Sequence, residues 1–311
     1  MKVLKPNVVP IIEPDPMKKI ELCGRVCYNS LDKICEGSAE KFYRNIVSRG
    51  HTSVLEHAHA FVYCEDEDTA DFMCDILAEW EYSHDIPAFI HRDRYSIDQW
   101  SLNGEQLLMS RAFSGNIRAW RNLAERYKHE AIMIKLFAHD PLFSDIYREE
   151  KFRDADVNAP VRRLNSIPSD MHTYHTLNFL CSRAIANEIV RHRVFSFSQS
   201  STRYINCKDL EVIQPWWFFE KQTDHRRVIF VDNANRAEGD YNLYLGDGGT
   251  PQLARDCLPQ CTACHLVVTG NVNQWRSFFK LRCDAAAHPD IQIVAGMAKK
   301  IILGGRGDES N

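Results

Sequence analysis

The chain has 311 residues, 44% of them hydrophobic and 26% charged, and it carries a formal net charge of −4. These values are typical of a globular protein with one large or two ordinary domains. A duplex-binding protein usually has a basic balance or a long basic stripe. The composition therefore argues against a nucleic-acid partner, whereas a small anionic ligand is compatible with it.

The apolar pattern indicates neither export nor membrane insertion. The first sixteen residues, MKVLKPNVVPIIEPDP, contain an apolar run that is too short and too interrupted by proline for a signal peptide. No stretch approaches the length of a transmembrane helix. We therefore predict a cytoplasmic protein with no membrane partner, whose eleven cysteines are reduced and mostly buried.

Two helices are predicted near the N-terminus. In residues 16–27, Ile20, Cys23 and Cys27 lie along one side of a helix. Ser38 is a suitable N-cap for the next helix, and glycine at position 50 is a suitable stop.

The segment GHTSVLEHAHAFVYC, residues 50–64, predicts a strand in its second half. There His57, His59, Phe61 and Tyr63 point one way and the residues between them point the other way. This period of two is the pattern of a strand with two different faces.

The polar residues at the start of this strand allow two interpretations from the residues alone. Glu56 and His57 are exposed polar side chains in the first. In the second, a zinc ion is held by His51, Glu56, His57 and His59, which requires these side chains to meet at one point. His57 and His59 share a strand face, but no Cys-x-x-Cys pair accompanies them.

Residues 65–171 are predicted to be mostly helical. Apolar residues recur at helical spacing in two stretches, as Phe72, Met73, Ile76 and Leu77 and again as Ile117, Trp120, Leu123 and Tyr127. We interpret the aromatic residues as core. We recognise no internal repeat in the sequence.

A strand over residues 172–181 is followed by a helix that Ser182 caps and that extends to about Arg191. On this helix Glu188 and Arg191 share a face. After Arg193 the pattern changes to a period of two, so the chain passes from a helix to an extended segment.

The segment NEIVRHRVFSFSQSSTRY, residues 187–204, concentrates cations and hydroxyl groups at this change. Arg191, His192 and Arg193 stand together, and Ser201 follows after seven residues. Guanidinium groups bind phosphate oxygens through paired hydrogen bonds, and hydroxyls add neutral donors. The segment therefore has the chemistry of a pocket for a phosphorylated ligand. The alternatives are a solvated helix end, where cations interact with the helix dipole, and a face that binds RNA or nucleotides with salt-sensitive affinity.

The last third of the chain predicts a helix over residues 235–246, followed by the turn sequence GDGG. PQLARDCLPQ then contains Arg255 in the pattern Ala-Arg-x-x-Leu-Pro. LVVTGNVNQWRSFFKLRC contains Asn271 in Thr-x-Asn-x-x-x-Trp, and Arg282 in the Leu-Arg pair that follows.

Three of these patterns together resemble the flavin-dependent thymidylate synthases. The first is Arg-His-Arg with Ser after seven residues and a trailing Arg-Tyr, residues 191–204. The second is Gly-His-x-Ser-x-x-Glu-His, residues 50–57. The third is the pair of patterns in residues 254–282. Arg-His-Arg alone is a weak signal, but the three patterns in one chain are fairly specific.

The resemblance implies reductive methylation of dUMP to dTMP. In this family 5,10-methylenetetrahydrofolate is the one-carbon donor, FAD reduced by NADPH supplies the hydride, and no enzyme nucleophile is required. The expected partners are these small molecules, and no resident metal is expected.

The same resemblance implies the roles of individual residues. FAD is expected to contact Ser53, Glu56, Arg191, His192, Arg193 and Asn271. The nucleotide is expected to contact Glu188, Gln199, Ser200, Ser201, Thr202, Arg203, Arg255 and Arg282. The two residues expected to take part in catalysis are Arg282, facing the uracil carbonyls, and His51, on the folate side.

The implied fold is α+β, with a central sheet and packed helices, in a homotetramer whose active sites are shared between subunits. Residues 1–64 and 172–311 are predicted to form the flavin-dependent thymidylate synthase core. Residues 65–171 are predicted to be a mostly helical insertion, because in shorter members of the family the flanking segments are almost adjacent.

One cysteine pattern gives a competing hypothesis. Cys257, Cys261 and Cys264 have the spacing Cys-x3-Cys-x2-Cys, which radical S-adenosylmethionine enzymes use to hold an iron–sulfur cluster. Here Pro259 interrupts the triplet, and a strand predicted over residues 262–269 directs Cys261 and Cys264 to opposite faces. An iron and sulfide assay separates this alternative from a flavoprotein.

Overall fold

The computed structural model describes residues 1–83, 90–93, 96–153, 157–220 and 224–304. The chain divides into two compact units, the first formed by Met1–Asn45 with His175–Asn311 and the second by Ile46–Tyr174. Both units contain strands and helices, so the predicted α+β class is confirmed. The division falls at residues 46 and 174, whereas the sequence placed it at 65 and 171.

The strands of the described ranges are short, and two of them reach nine residues. In chain order they are β1 (Lys2–Leu4), β2 (Asn7–Pro10), β3 (His59–Cys64), β4 (Ile90–Arg92), β5 (Gln99–Leu102), β6 (Glu105–Leu108), β7 (Ala112–Asn116), β8 (Val161–Leu164), β9 (Tyr174–Ser182), β10 (Ser196–Gln199), β11 (Glu211–Ile213) and β12 (Ala263–Asn271).

The α-helices range from single turns to one helix of 23 residues. They are α1 (Pro16–Cys27), α2 (Ser38–Ser48), α3 (Glu67–Ser83), α4 (Ile117–Arg126), α5 (Ala131–Phe137), α6 (Glu150–Arg153), α7 (Arg183–Ile189), α8 (Asp224–Gly246), α9 (Pro251–Ala254), α10 (Val272–Arg282) and α11 (Pro289–Leu303). The helix predicted over 235–246 is the second half of α8.

The first unit is built on a four-stranded sheet with the order β10-β12-β9-β2. Strands β10 and β2 are antiparallel to their neighbours, and β1 pairs with β11 in a separate parallel pair. Residues from α7, α10 and α11 form one apolar core with the sheet, and the large buried side chains in it include Phe179, Trp275 and Phe278.

Local capping explains where the helices of this unit begin. Asp15 accepts hydrogen bonds from two backbone amides of α1, and Pro16 occupies its first position. The Ser182 hydroxyl accepts from the Ile185 amide at the start of α7, as the sequence predicted. These side chains satisfy amides that have no partner within the helix.

The second unit has its own four-stranded sheet, with the order β4-β7-β3-β8 and antiparallel neighbours throughout. Strands β5 and β6 form a hairpin in which Asn103 and Gly104 have positive φ angles of 51° and 86°. This is the backbone that Asn-Gly favours in two-residue hairpin turns.

The prediction that residues 65–171 are mostly helical therefore needs correction. The segment contains helices α3–α6, but it also contains the five strands β4–β8. Each of these strands has three to five residues, and β7 is buried at every position. A short strand buried on both faces shows no alternation, so the period-two signal is absent from the sequence.

The two four-stranded sheets share features that we did not recognise in the sequence. Each has a central pair of strands, β12 with β9 and β7 with β3, and an outer strand on either side. In both units each central strand is followed by a helix, directly after β9, β12 and β7 and two residues after the end of β3. The sequence Ser-Gly-Asn-x-x-x-Trp-Arg at 114–121 matches Thr-Gly-Asn-x-x-x-Trp-Arg at 269–276.

The cysteines are free and differ in exposure. All eleven are unpaired; five are buried, five are partly buried, and Cys35 is exposed. Among helices in the described ranges, none combines the length and the apolar character needed to cross a membrane.

A buried polar cluster lies beside β7 in the second unit. The Ser114 hydroxyl oxygen is 2.6 Å from His172 Nδ1 and 2.8 Å from the Tyr174 hydroxyl oxygen. His172 is 1% exposed, and its Nε2 has no hydrogen-bond partner within the described part of the chain. Burial, and to a smaller extent His91, lowers the pKa of His172 to about 4.

We expect His172 to lower the free energy of unfolding by about 2 kcal/mol between pH 7 and pH 5. Its folded-state pKa lies below the ordinary value of 6.5, so in this range the unfolded chain binds a proton that the native state does not. The native state has its full stability with respect to this group above pH 6.5, and that stability is lost as the pH falls. Urea unfolding at both pH values, with His172→Asn as the comparison, measures it. Equal pH dependence in the two proteins would contradict this assignment.

Candidate functional site

The predicted site residues belong to both units. His51, Ser53 and Glu56 lie in the second unit, and the remaining predicted residues lie in the first. Each group has its own local geometry.

The Arg-His-Arg sequence forms the turn that follows α7. The amides of Arg191 and His192 donate to carbonyls of the last helical turn, and Phe195 donates back to the His192 carbonyl. Arg191 and Arg193 are exposed and form no ion pair with the residues that the structure describes. The turn therefore presents two uncompensated guanidinium groups.

This turn is held by close packing between Phe195 and Gly270. A Cβ on Gly270 would come within 2.3 Å of the Phe195 ring, so any side chain at this position displaces the ring. Phe195 is buried among Trp275 and Phe278. The end of β12 therefore fixes the residue that follows the turn.

Arg282 contacts the same turn through all three guanidinium nitrogens. Its Nε donates to His192 Nε2 at 2.8 Å, Nη1 to the Glu188 carboxylate at 3.1 Å, and Nη2 to the Glu188 carbonyl at 3.2 Å. His192 is therefore a neutral acceptor that carries its proton on Nδ1. Burial, followed by the Arg282 charge, lowers the pKa of His192.

Asn271 is the N-cap of α10 and is buried. Its side-chain oxygen accepts from the backbone amide of Gln274 at 2.9 Å, and its backbone amide donates to the side-chain oxygen of Gln274 at 2.8 Å. This capping box occupies the side-chain oxygen, so the side-chain nitrogen of Asn271 is the group left for a ligand.

A cleft of about 260 Å³ lies beside the hydroxyl-rich segment that follows β10. Ser200, Thr202, Cys264 and His265 are among its lining residues. The Ser200 hydroxyl accepts from the His265 amide at 3.1 Å, and the Gln199 side chain reaches the Cys264 sulfur at 3.8 Å. Burial lowers the pKa of His265 and favours its neutral form.

The remaining predicted residues of the first unit lie near α9. Arg203 is exposed and donates from Nε and Nη2 to the Gln252 side chain at 3.2 and 3.1 Å. Arg255 immediately follows α9, with 42% of its side chain exposed. Ser201 Oγ accepts from the Arg203 amide at 3.4 Å. Gln252 was not predicted, and no sequence pattern pointed to it.

In the second unit the Gly-His-x-Ser pattern, residues 50–53, leads into a 3-10 helix, Thr52–His57, before β3. His51 and Ser53 are exposed. Glu56 is 14% exposed and lies 2.6 Å from Arg118 Nη1 on α4. Arg118 was not predicted, although it stands two residues after the Asn of Ser-Gly-Asn.

The sequence allowed two metal sites, a zinc site near Glu56 and an iron–sulfur site at the three cysteines of residues 257–264. Within the described ranges, no group of three or more His, Cys, Asp or Glu side chains is placed to hold a metal ion. Burial raises the thiol pKa of Cys257 and of Cys261, which disfavours the thiolate that a cluster requires. Cys264 lies in β12 and shares a hydrogen bond with Cys181.

A family model described as thymidylate synthase complementing protein matches residues 10–70 and 169–303. Curated relatives named flavin-dependent thymidylate synthase match shorter stretches. The relative from Mycolicibacterium gilvum is 36% identical over 129 residues, covering 36% of this chain and 49% of that protein. The relative from Corynebacterium efficiens is 36% identical over 127 residues, covering 37% and 50%.

A third relative, from Mycobacterium bovis, is 35% identical over 127 residues, covering 36% of this chain and 49% of that protein. The chain thus spans about half the length of the curated relatives it matches. The family model covers well over half of the chain, in two segments that contain the Arg-His-Arg turn, the Ser201 segment, Asn271 and Arg282. The chain therefore belongs to the family of thymidylate synthase complementing proteins.

Proposed function

We propose that the chain catalyses the reductive methylation of dUMP to dTMP, with 5,10-methylenetetrahydrofolate as one-carbon donor. The proposal is supported by family membership and by relatives that are named flavin-dependent thymidylate synthase. The three sequence patterns of that family are present in one chain.

The observation that carries the proposal is the Arg-His-Arg turn. Arg191 and Arg193 are exposed and unpaired within the described ranges, whereas Arg282 is held by Glu188 and His192. Two unpaired guanidiniums beside a fixed third one form a site for a ligand with several negative charges. If the turn were only a solvated helix end, Glu188 and His192 would not need to hold the Arg282 guanidinium in place.

These residues fit FAD, whose diphosphate carries two negative charges and whose ring system offers hydrogen-bonding edges. Arg191 and Arg193 would bind the anionic part, and the Asn271 amide nitrogen and Ser53 would donate to neutral acceptors. Glu56 would accept from hydroxyl or amine groups. FAD, when bound and reduced by NADPH, supplies the hydride for the reaction.

The nucleotide site in this proposal uses the residues that follow β10. Ser201, Arg203 and Arg255 bind the phosphate, and Gln199, Ser200 and Thr202 line the pocket. The exposure of Arg203 and Arg255 supports this role, because neither guanidinium is buried in an ion pair. Glu188 orients Arg282, which stabilises negative charge on the uracil carbonyls. His51 contacts the folate.

We further propose the flavin-dependent thymidylate synthase fold for residues 1–64 and 172–311, with residues 65–171 as an insertion, in a cytoplasmic homotetramer. Exposed apolar side chains on α8, such as Val228, Leu243 and Tyr244, support an assembly of several chains. Light scattering of the purified protein measures the number of chains.

We expect Arg191→Ala to weaken FAD binding roughly ten- to a hundredfold, the range for losing a hydrogen bond to a charged group. Because Arg191 is exposed and has no partner among the residues that the structure describes, the fold should be unchanged. Absorbance of the purified protein gives flavin per chain, and circular dichroism tests the fold. Arg226→Ala, an exposed arginine on α8, is the matched control. Full flavin content in Arg191→Ala would contradict the site, and a colourless wild-type protein that cannot be loaded with FAD would contradict the function.

A further inference from the structure

The junction between a central strand and its helix is built twice in this chain. In the first unit β12 ends at Asn271 and α10 begins at Val272, and in the second β7 ends at Asn116 and α4 begins at Ile117. The Asn116 side chain accepts from the amide three residues on, as the Asn271 side chain does. Both junctions therefore use the same cap in the same place.

The tryptophan of each repeat makes the same contact. Trp120 donates from its indole nitrogen to the Ala60 carbonyl on β3 at 3.1 Å, and Trp275 donates to the His175 carbonyl on β9 at 3.3 Å. Both rings are fully buried. In each unit the helix is thus fastened to the other central strand by an indole hydrogen bond.

Contacts between the central strands also correspond. Ser114 pairs with Phe61, which follows Ala60, and the Thr269 hydroxyl contacts the hydroxyl of Thr176, which follows His175. In each case the residue before the Gly-Asn pair contacts the residue after the indole acceptor. Agreement in the cap, the indole bond, this contact and the order of three of the four strands is not expected of two unrelated segments.

The two units differ in their charged residues near these junctions. Two residues after the cap, the second unit has Arg118 and the first has Asn273, which is exposed. The Arg-His-Arg turn belongs to the first unit, where it precedes β10. The Ser-x-x-Glu pattern, in turn, precedes the sheet of the second unit.

Arg118 makes its ion pair with the Glu56 of that pattern. The distance of 2.6 Å between Arg118 Nη1 and Glu56 Oε1 is that of a charge-assisted hydrogen bond. Glu56 is 14% exposed and Arg118 is 31% exposed. Without the guanidinium, the Glu56 side chain would lose the partner that fixes its orientation.

We propose that the second unit is a diverged copy of the first, in which Arg118 has become a positioning residue that holds the Glu56 carboxylate in place for flavin binding. This inference rests on the proposed function, in which Glu56 contacts FAD. Arg118 itself contacts Glu56 and acts through it. The chain then has one set of flavin-binding residues, so it binds one flavin.

A double-mutant cycle on the full-length protein tests this. FAD affinity of the flavin-free protein is measured by fluorescence titration for wild type, Arg118→Ala, Glu56→Gln and the double variant. We expect Arg118→Ala to weaken FAD binding about tenfold, Arg118→Lys to restore part of the affinity, and the double variant to bind no more weakly than Glu56→Gln. Asn273→Ala, at the matching position of the first unit, should bind FAD like wild type.

Four results would overturn the inference. They are additive effects of the two substitutions, unchanged FAD affinity in Arg118→Ala, unchanged FAD affinity in Glu56→Gln, and two flavins per wild-type chain. In each case dTMP formation by the wild-type protein would leave the proposed function intact. A wild-type protein that binds no FAD would remove the proposed function itself.

Discussion

With the proposed function, replacing Arg282 with lysine should lower the rate of dTMP formation about 10²- to 10³-fold, while FAD binding and flavin reduction by NADPH should persist. The reason is geometric. The guanidinium donates from three nitrogens, to His192, to the Glu188 carboxylate and to the Glu188 carbonyl. A lysine ammonium has no planar fork and cannot hold the charge in this orientation. Removal of one fixed donor to a developing oxyanion typically has an effect of this size.

Separate measurements of flavin reduction and dTMP release decide the role of Arg282. Flavin reduction should be close to wild type, because Arg191 and Arg193 do not depend on Arg282 for a partner. Lys280→Ala is the control, since Lys280 is an exposed cation on the same helix. If Arg282→Lys forms dTMP at the wild-type rate, the residue is a helix-end cation that only supports the turn.

Trp275→Ala should lower the free energy of unfolding by about 3–5 kcal/mol, the range for removing a large buried aromatic side chain. Trp275 is fully buried and packs on Phe195 with ring centroids 4.5 Å apart. Its loss opens a cavity next to the residue that anchors the Arg-His-Arg turn. It also leaves the His175 carbonyl without its indole donor.

Urea unfolding of the flavin-free protein measures the effect on stability, and flavin titration measures the effect on the turn. Trp216→Ala is the control, because Trp216 is 46% exposed and its removal should change stability by less than about 1 kcal/mol. A loss below about 1 kcal/mol in Trp275→Ala would mean that the core relaxes around the missing ring, and the turn would then not depend on this packing.

Where the signal is local, the sequence determined the structure. Helix α1 covers the predicted residues 16–27, because Asp15 and Pro16 define its start and the apolar side chains recur at helical spacing. Ser182 caps α7 as predicted, since the hydroxyl and the amide it accepts from are three residues apart. The family is likewise contained in the sequence, in motifs with fixed spacing.

The residues of the candidate site were named from the sequence, but their partners were not. Arg282 and Glu188 were both assigned to the nucleotide, and the structure pairs them across 94 positions of the chain. Glu56 and Arg118 are 62 positions apart. No residue spacing encodes such a pair, because the contact exists only after the strands between the partners have found their register.

Strand pairing is the other feature that only the tertiary structure decided. β7 was predicted as part of a helical segment, although it forms the centre of a sheet, because five buried residues in a row show no alternation. The hairpin of β5 and β6 around the Asn-Gly turn at 103–104 was not predicted, because a turn identifies strands only when the flanking residues pair. The features that the two sheets share were missed for the same reason. Four identical residues at 115–121 and 270–276 are a faint sequence signal. They become informative only through the strand order and the buried indole bonds that long-range contacts create.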